Sequence, residues 1–299
     1  MRISEVHRAL SEVEALSYLA ENPGARPIAG GTDVLVAMRG ATIRGTGELP
    51  GSAGVKLVDV SGLSELSQIR REDDKLVIGA VARLSAIEAS PLVIELAPVM
   101  AAAVGCIGSV QIRNRATLGG NIMNASPAAD SLPALAVHNA VCVLRSSTSE
   151  RRVPLGSLIK GAYSTCARDD ELLVQVELEN CPAWKHSHIK LGRRQAMAIS
   201  RLAVAVIACF EGGAVTDIRI SAGAAFPIPG RIGPAEERLR GVRYDSEVPR
   251  WAGETAADEM VKATGIRWST QYKQPVLAAL VERAVRQCAA REGLDQWPE

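Results

Sequence analysis

Residues 106–130 read CIGSVQIRNRATLGGNIMNASPAAD. Few large apolar side chains occur in this segment, and small or amide-bearing ones crowd it. That composition suits a loop pressed against a ligand, because glycine permits close backbone approach while Ser, Thr and Asn carry donors. Gly105, Gly108, Gly119 and Gly120 surround Ser109, Gln111, Asn114, Thr117, Asn121, Asn124 and Ser126. Asp130 follows, just before a helix expected over Ser131–His138. The set offers hydroxyl and amide donors to phosphates and a carboxylate to ribose hydroxyls. An extended, Asn-rich β-edge loop with no ligand is the plain alternative.

A second glycine loop, Ala29-Gly30-Gly31-Thr32-Asp33, follows a short strand expected at 26–29. Adjacent glycines let backbone N–H groups converge on an anion, and Thr32 adds a hydroxyl. Taken alone, Gly-Gly-Thr is common and reads better as a tight turn. Neither loop is a G-x-G-x-x-G fingerprint, and the sequence has no G-x-x-x-x-G-K-[ST]. Both common nucleotide motifs are therefore disfavoured.

Together, IAGGTDVLVAMRG (28–40) and IGSVQIRNRATLGGNIMNASPAAD (107–130) resemble the two FAD-binding loops of the flavoprotein (medium) subunit of molybdenum hydroxylases. That family includes xanthine dehydrogenase, carbon monoxide dehydrogenase, nicotinate dehydrogenase and 4-hydroxybenzoyl-CoA reductase. IKLGRRQAMAIS (189–200) resembles the Lys/Arg segment that opens the family's C-terminal domain, and YKQPVLAALVERAV (272–285) its last helix. The likeness spans nearly the whole chain. It implies an α+β fold: a two-part FAD-binding domain of the vanillyl-alcohol-oxidase (PCMH) type over 1–179, with its internal break near 55, and a smaller α+β domain over 180–299.

Carried over by position, the resemblance gives Ala29, Gly30, Gly31, Thr32, Asp33 and Val34 to the pyrophosphate, with Val34 near the flavin edge. Ile107, next to Gly108, would touch the isoalloxazine ring. Thr117, Gly120 and Asn121 would contact pyrophosphate and flavin, and Asp130 the ribose. Lys190 would approach the flavin pyrimidine carbonyl, where a cation favours negative charge on the ring. FAD is expected to be non-covalent, since no His or Cys, His7 and His138 included, can be assigned as a tether. The molybdenum cofactor and 2Fe-2S clusters are expected only on partners: a large molybdopterin-binding subunit and a small iron–sulfur subunit, with a dimer of heterotrimers open as the assembly. Ala116 departs from the family's usual glycine and would be strained at positive φ.

Composition agrees with such a protein. The chain has 299 residues, 47% apolar, so a sizeable core is expected. Lys plus Arg number 34 against 33 acids, and aromatics are 3%. Phosphate neutralisation and base stacking, the usual routes to nucleic-acid binding, are both disfavoured. The longest apolar run, Leu202–Phe210, falls far short of the ~20 residues of a membrane span. Glu5, Glu12 and Glu14 interrupt any signal-peptide core, so a cytoplasmic protein is expected. Six scattered cysteines form no C-x-x-C pair and read as buried thiols.

Periodicity predicts a helix over the first 20 residues, carrying Val6, Leu10, Val13, Leu16 and Leu19 with Ser4 as N-cap. Glycine-rich residues 40–54 read as an insertion or turn. Strands are expected at 55–60, 75–81, 140–145 and 172–178, and a helix over 91–104. Asn180–Trp184 resembles a boundary. Leu202–Phe210 and Val215–Gly223 read as a hairpin closed by Glu211-Gly212-Gly213, followed by helices at 253–264 and 274–291. His186 and His188 read as surface histidines with no third ligand nearby. Two rivals stand beside the electron-transfer reading: a stand-alone flavin oxidoreductase of the vanillyl-alcohol-oxidase type, and a flavin-free assembly protein that kept the fold.

Overall fold

The structure is a computed structural model that describes residues 3–38, 54–194 and 197–296. The glycine-rich stretch 40–54 therefore lies, except for Gly54, outside the described residues, as do Gln195 and Ala196 of the Lys/Arg segment.

The chain opens with β1 (Ile3–Arg8), α1 (Glu12–Glu21), β2 (Arg26–Ile28), α2 (Val34–Met38) and β3 (Val55–Asp59). The three strands form a parallel sheet in the order β1-β3-β2. The helix expected over the first 20 residues is thus a strand followed by a shorter helix. Ser11, not Ser4, caps it, its Oγ accepting from Glu14 N at 3.2 Å. Val6, Leu10 and Val13 are exposed, and only Leu16 and Leu19 of the expected stripe are buried. Pairing with β3 overrides a helical spacing that crossed the cap by coincidence.

The middle of the chain builds a five-stranded antiparallel sheet, β4-β5-β10-β6-β7. In sequence its elements are β4 (Ile69–Glu72), β5 (Lys75–Gly79), α3 (Leu84–Ala89), α4 (Pro91–Leu96), α5 (Pro98–Gly105), α6 (Val110–Arg113), α7 (Leu118–Asn124), α8 (Ser131–Val137), β6 (Val141–Arg145), β7 (Glu150–Pro154), α9 (Leu155–Leu158), the short pair β8 (Ile159–Gly161) and β9 (Ser164–Thr165), and β10 (Leu172–Glu179). The helix expected over 91–104 is two helices, because Pro98 cannot donate to the turn before it and instead opens α5. Segment 106–130 is not one loop: it folds into α6 and α7 with turns between. The edge strands β4 and β7 escape sequence patterning because charge dominates them. Arg152 of β7 reaches Glu177 of β10 at 3.0 Å, and charged edges of this kind discourage strand addition.

The last third is β11 (Lys185–Leu191), β12 (Leu202–Glu211), β13 (Ala214–Gly223), α10 (Gly233–Leu239), α11 (Val248–Thr264) and α12 (Thr270–Arg291). The expected hairpin is present, with Gly212 at φ +58° and Gly213 at φ +81° in its turn. The run Leu202–Phe210 is continuously apolar because β12 is buried on both faces. Val204, Val206 and Ala208 pack under α11 and α12, while Ala205 and Ile207 join the core of the middle sheet. Arg219 of β13 crosses the same joint. It pairs with Glu179 at 2.7 Å, donates to Val137 O at 3.2 Å and lies 4.7 Å over the Trp184 ring.

His186 and His188 are not surface histidines. They share the face of β11 that carries Lys190 and turns toward α5, and both are half-buried. Of the six free thiols only Cys142, Cys181 and Cys288 are buried; Cys106 is exposed. Among the described residues no helix is long and apolar enough to cross a membrane.

Candidate functional site

The two glycine loops meet. Loop 29–33 leaves β2 and turns into α2 through Gly31 at φ +72°, a left-handed conformation that glycine adopts without cost. Gly30 lies flat against the other loop. A Cβ placed there would stand 2.1 Å from Arg115 O and 2.9 Å from Ala116 Cα, so a side chain would drive the loops apart. The N–H groups of Gly30, Gly31, Thr32 and Asp33 donate to no acceptor among the described residues. Consecutive unspent amides around a left-handed residue form a nest for an anion. Partial burial raises the Asp33 carboxyl above its ordinary value.

Beside the nest opens a small cleft. Ala29, Gly30 and Thr117 line it with Ser61, Val81, Arg83 and Arg115. Thr117 caps α7, its Oγ1 accepting from Gly120 N at 3.2 Å, which leaves the hydroxyl hydrogen free to donate. Arg83 and Thr117 face one another in an antiparallel bridge. Ala116 is not at positive φ, so alanine there carries no strain.

Gly119-Gly120 is not a second anion cradle. The Gly119 amide donates to Ala80 O at 2.8 Å and the Gly120 amide to Thr117. Gly119 has a packing reason, since its Cβ would meet the Ala80 Cβ at 2.7 Å. Asn121 accepts from Ser131 and so ties α7 to the start of α8.

A second constellation stands at the far end of this segment. Lys190 Nζ lies 2.6 Å from Asp130 Oδ2 and donates to Cys106 O at 2.8 Å, and Ser200 Oγ donates to Asp130 Oδ1. Asp130 is 4% exposed, and its side chain makes no cap bond to α8. Desolvation raises the Asp130 carboxyl, against the Lys190 and Ser200 hydrogen bonds that pull it down. Through the Cys106 carbonyl, Lys190 fixes the turn that carries Ile107 and Gly108.

The residues singled out in the sequence thus fall into two groups. Ala29–Val34 and Thr117 gather at the nest and cleft. Ile107, Gly108, Asp130 and Lys190 gather at the Asp130–Lys190 ion pair, and Gly120 and Asn121 on α7 lie between. Ser61, Arg83 and Arg115 were missed. Arg115 lay inside the quoted motif, but nothing in residue type marks an arginine as cleft-lining.

An amide nest, a cleft with a hydroxyl donor and two guanidinium groups define a protein that takes a phosphate-bearing ligand. Comparisons narrow this. Residues 2–181 match the family described as the FAD binding domain in molybdopterin dehydrogenase, and residues 187–288 match the CO dehydrogenase flavoprotein C-terminal domain. The chain belongs to this FAD-binding flavoprotein family of the molybdopterin dehydrogenases. The xanthine dehydrogenase FAD-binding subunit of Escherichia coli O157:H7 is 28% identical over 291 residues, 96% of each chain. The carbon monoxide dehydrogenase medium chain of Hydrogenophaga pseudoflava is 28% identical over 96% of this chain and 97% of its own. The solved structure of that organism's carbon monoxide dehydrogenase superposes with a TM-score of 0.86 at 27% identity, covering 97% of this chain and 98% of the other. Quinoline 2-oxidoreductase from Pseudomonas putida 86 gives 0.87 at 26% identity, with 98% of each covered.

Proposed function

We propose that the chain is the FAD-carrying electron-transfer subunit of a cytoplasmic, multi-subunit molybdenum hydroxylase. It would receive electrons from iron–sulfur clusters of a small partner subunit and pass them to NAD+, oxygen or another acceptor. Oxidation of the organic substrate would belong to a large molybdopterin-binding partner. Residues 1–179 would form the FAD-binding domain and 180–299 the domain that closes on it.

The observation that carries this reading is the run of unspent amides at 30–33, opening on a cleft with Thr117 and two arginines. Its chemistry fits a diphosphate: many donors, positive charge and no carboxylate in the lining. Bound FAD would supply reversible acceptance of one or two electrons. In this reading Gly30–Asp33 hold the pyrophosphate with Thr117, and Val34 and Ile107 border the ring. Lys190 sets a positive charge beside the Ile107 turn, where it favours negative charge on a neighbouring ring. Asp130 accepts from Lys190 through one oxygen and from Ser200 through the other, and so holds that ammonium in place.

The test is the visible spectrum of the purified chain. A flavin band at about 450 nm is expected, with no turnover of purines, aldehydes or N-heterocycles. A colourless protein that takes up no added FAD would remove the reading.

A further inference from the structure

The connector between α11 and α12 holds two large apolar side chains out in water. Trp268 is 97% exposed and Ile266 is 89% exposed. The turn that carries them is tied down by hydrogen bonds. Gly265 ends α11 at φ +67°, its N–H donating to Val261 O at 2.8 Å. Arg267 N donates to Thr270 Oγ1 at 2.8 Å, Thr270 N to Arg267 O at 2.9 Å, and Arg267 Nε to Thr264 O at 3.1 Å. Tyr272, at the start of α12, is exposed as well, and the Arg201 guanidinium lies 5.2 Å over its ring. Lys273 follows, and burial, then the neighbouring Arg267 charge, lowers its ammonium from the ordinary value. Arg201, Arg267 and Lys273 pair with no carboxylate among the described residues. The surface thus has an apolar centre of Trp, Ile and Tyr and three cations without a counter-charge. Large aromatics and arginine dominate the energetics of protein contacts. Burying an indole removes roughly 150–250 Å² from water, and a turn already held in place adds little ordering cost. A second copy of the chain does not complement this surface. A two-fold contact would set the patch against itself and bring cation to cation.

We infer that the patch of Ile266, Trp268 and Tyr272 with Arg201, Arg267 and Lys273 docks a protein partner within the chain's own complex, one whose contact face holds an apolar pocket ringed by carboxylates. The inference rests on the multi-subunit reading above and names the surface through which the chain assembles. Arg201 and the exposed Ile199 flank Ser200, which donates to Asp130, so the docked partner comes to lie near the Lys190–Asp130 pair. Opposite charge steers the encounter, and the indole in its pocket slows release. Trp268 and Arg267 are exposed and stand apart from the residues assigned to flavin, so substituting them threatens neither folding nor the nest.

Four proteins decide the matter: wild type, Trp268→Ser, Arg267→Glu and the double variant. Each full chain is titrated with the iron–sulfur and molybdopterin subunits, and the complex is sized by light scattering. Flavin per chain and melting temperature are recorded beside the affinity. Trp268→Ser should weaken assembly about 30-fold, the loss expected of a central aromatic anchor. Arg267→Glu should weaken it about 10-fold and flatten its salt dependence. Flavin content and melting temperature should not move. A double variant that assembles as tightly as wild type overturns the docking surface and leaves the flavin reading standing. So does a wild-type chain that carries flavin and binds neither subunit. A wild-type chain that dimerises alone and loses the dimer in Trp268→Ser overturns the proposal in favour of a second copy. Tryptophan-dependent binding to vesicles of phosphatidylglycerol and phosphatidylcholine, with assembly unchanged, overturns it in favour of a lipid surface. Complexes that weaken as expected but hold no flavin support the docking surface and overturn the flavin reading.

Discussion

Lys190 Nζ lies 2.6 Å from Asp130 Oδ2, and their side chains are 14% and 5% exposed. The pair joins the end of the long glycine-rich segment to β11. Removing one partner of a buried pair strands the other charge away from water. Asp130→Ala should therefore cost about 3–5 kcal/mol of stability, and Lys190→Met a comparable amount. Urea midpoints measure both. The double variant should lose much less than the sum, and additive losses would show that the two do not act as a pair.

Gly30→Ala and Gly31→Ala should differ. At Gly30 the new methyl meets the Arg115 backbone at 2.1 Å, and backbone cannot swing aside. Overpacking there should cost about 1–3 kcal/mol and open the junction of the two loops, lowering flavin content. At Gly31 the nearest atom is Leu35 Cδ1 at 3.1 Å, the far end of a flexible side chain. Its cost is the left-handed backbone, about 1–2 kcal/mol. Flavin per chain in the purified proteins should fall further for Gly30→Ala.

Thr117→Ala removes the cap of α7 and a hydroxyl in the cleft together. The cap is worth about 1 kcal/mol. Thr117→Ser keeps both groups. It should restore stability and FAD affinity together, read by thermal melting and fluorescence titration.

The glycine loops, the hairpin at Gly212-Gly213 and the doubly buried β12 were legible because each has a local cause: backbone freedom, turn chemistry or an unbroken apolar run. Other features have causes that lie far away in sequence. Asp130 and Lys190 are 60 residues apart, and their residue types suited a ribose acceptor and a flavin neighbour as well as each other. Gly119 resembled a phosphate glycine, but the close approach of Ala80 dictates it. Nothing in the sequence set Arg83 apart; the fold sets it across from Thr117. β1 was hidden because an apolar spacing of three and four ran by chance through the Ser11 cap.

His138 neighbours Glu179 and Arg219, His186 neighbours Arg291 and His138, and His188 neighbours Lys190. Burial lowers each of them to about 4. In the unfolded chain they would take up protons near pH 6.5. The unfolded state thus binds more protons between about pH 6.5 and 4, and stability should fall as pH drops through that window. The raised Asp130 carboxyl acts in the opposite sense in the acid part of it. Urea midpoints at pH 7 and pH 5 should show the net loss, and His138→Gln should shrink it.

FAD should be held non-covalently, since the nest and cleft offer amides, a hydroxyl and charge. Acid precipitation should leave yellow FAD in the supernatant. Colour retained in the pellet would point to a covalent bond.

The most direct test of the electron-transfer assignment is anaerobic bleaching of the flavin band, at about 450 nm, by the organic substrate of the assembled complex. With the iron–sulfur and molybdopterin subunits present, substrate should bleach the band. The purified chain alone should show neither bleaching nor product. Bleaching and product formation by the single chain, shown by mass spectrometry to be free of partner subunits, would contradict the assignment.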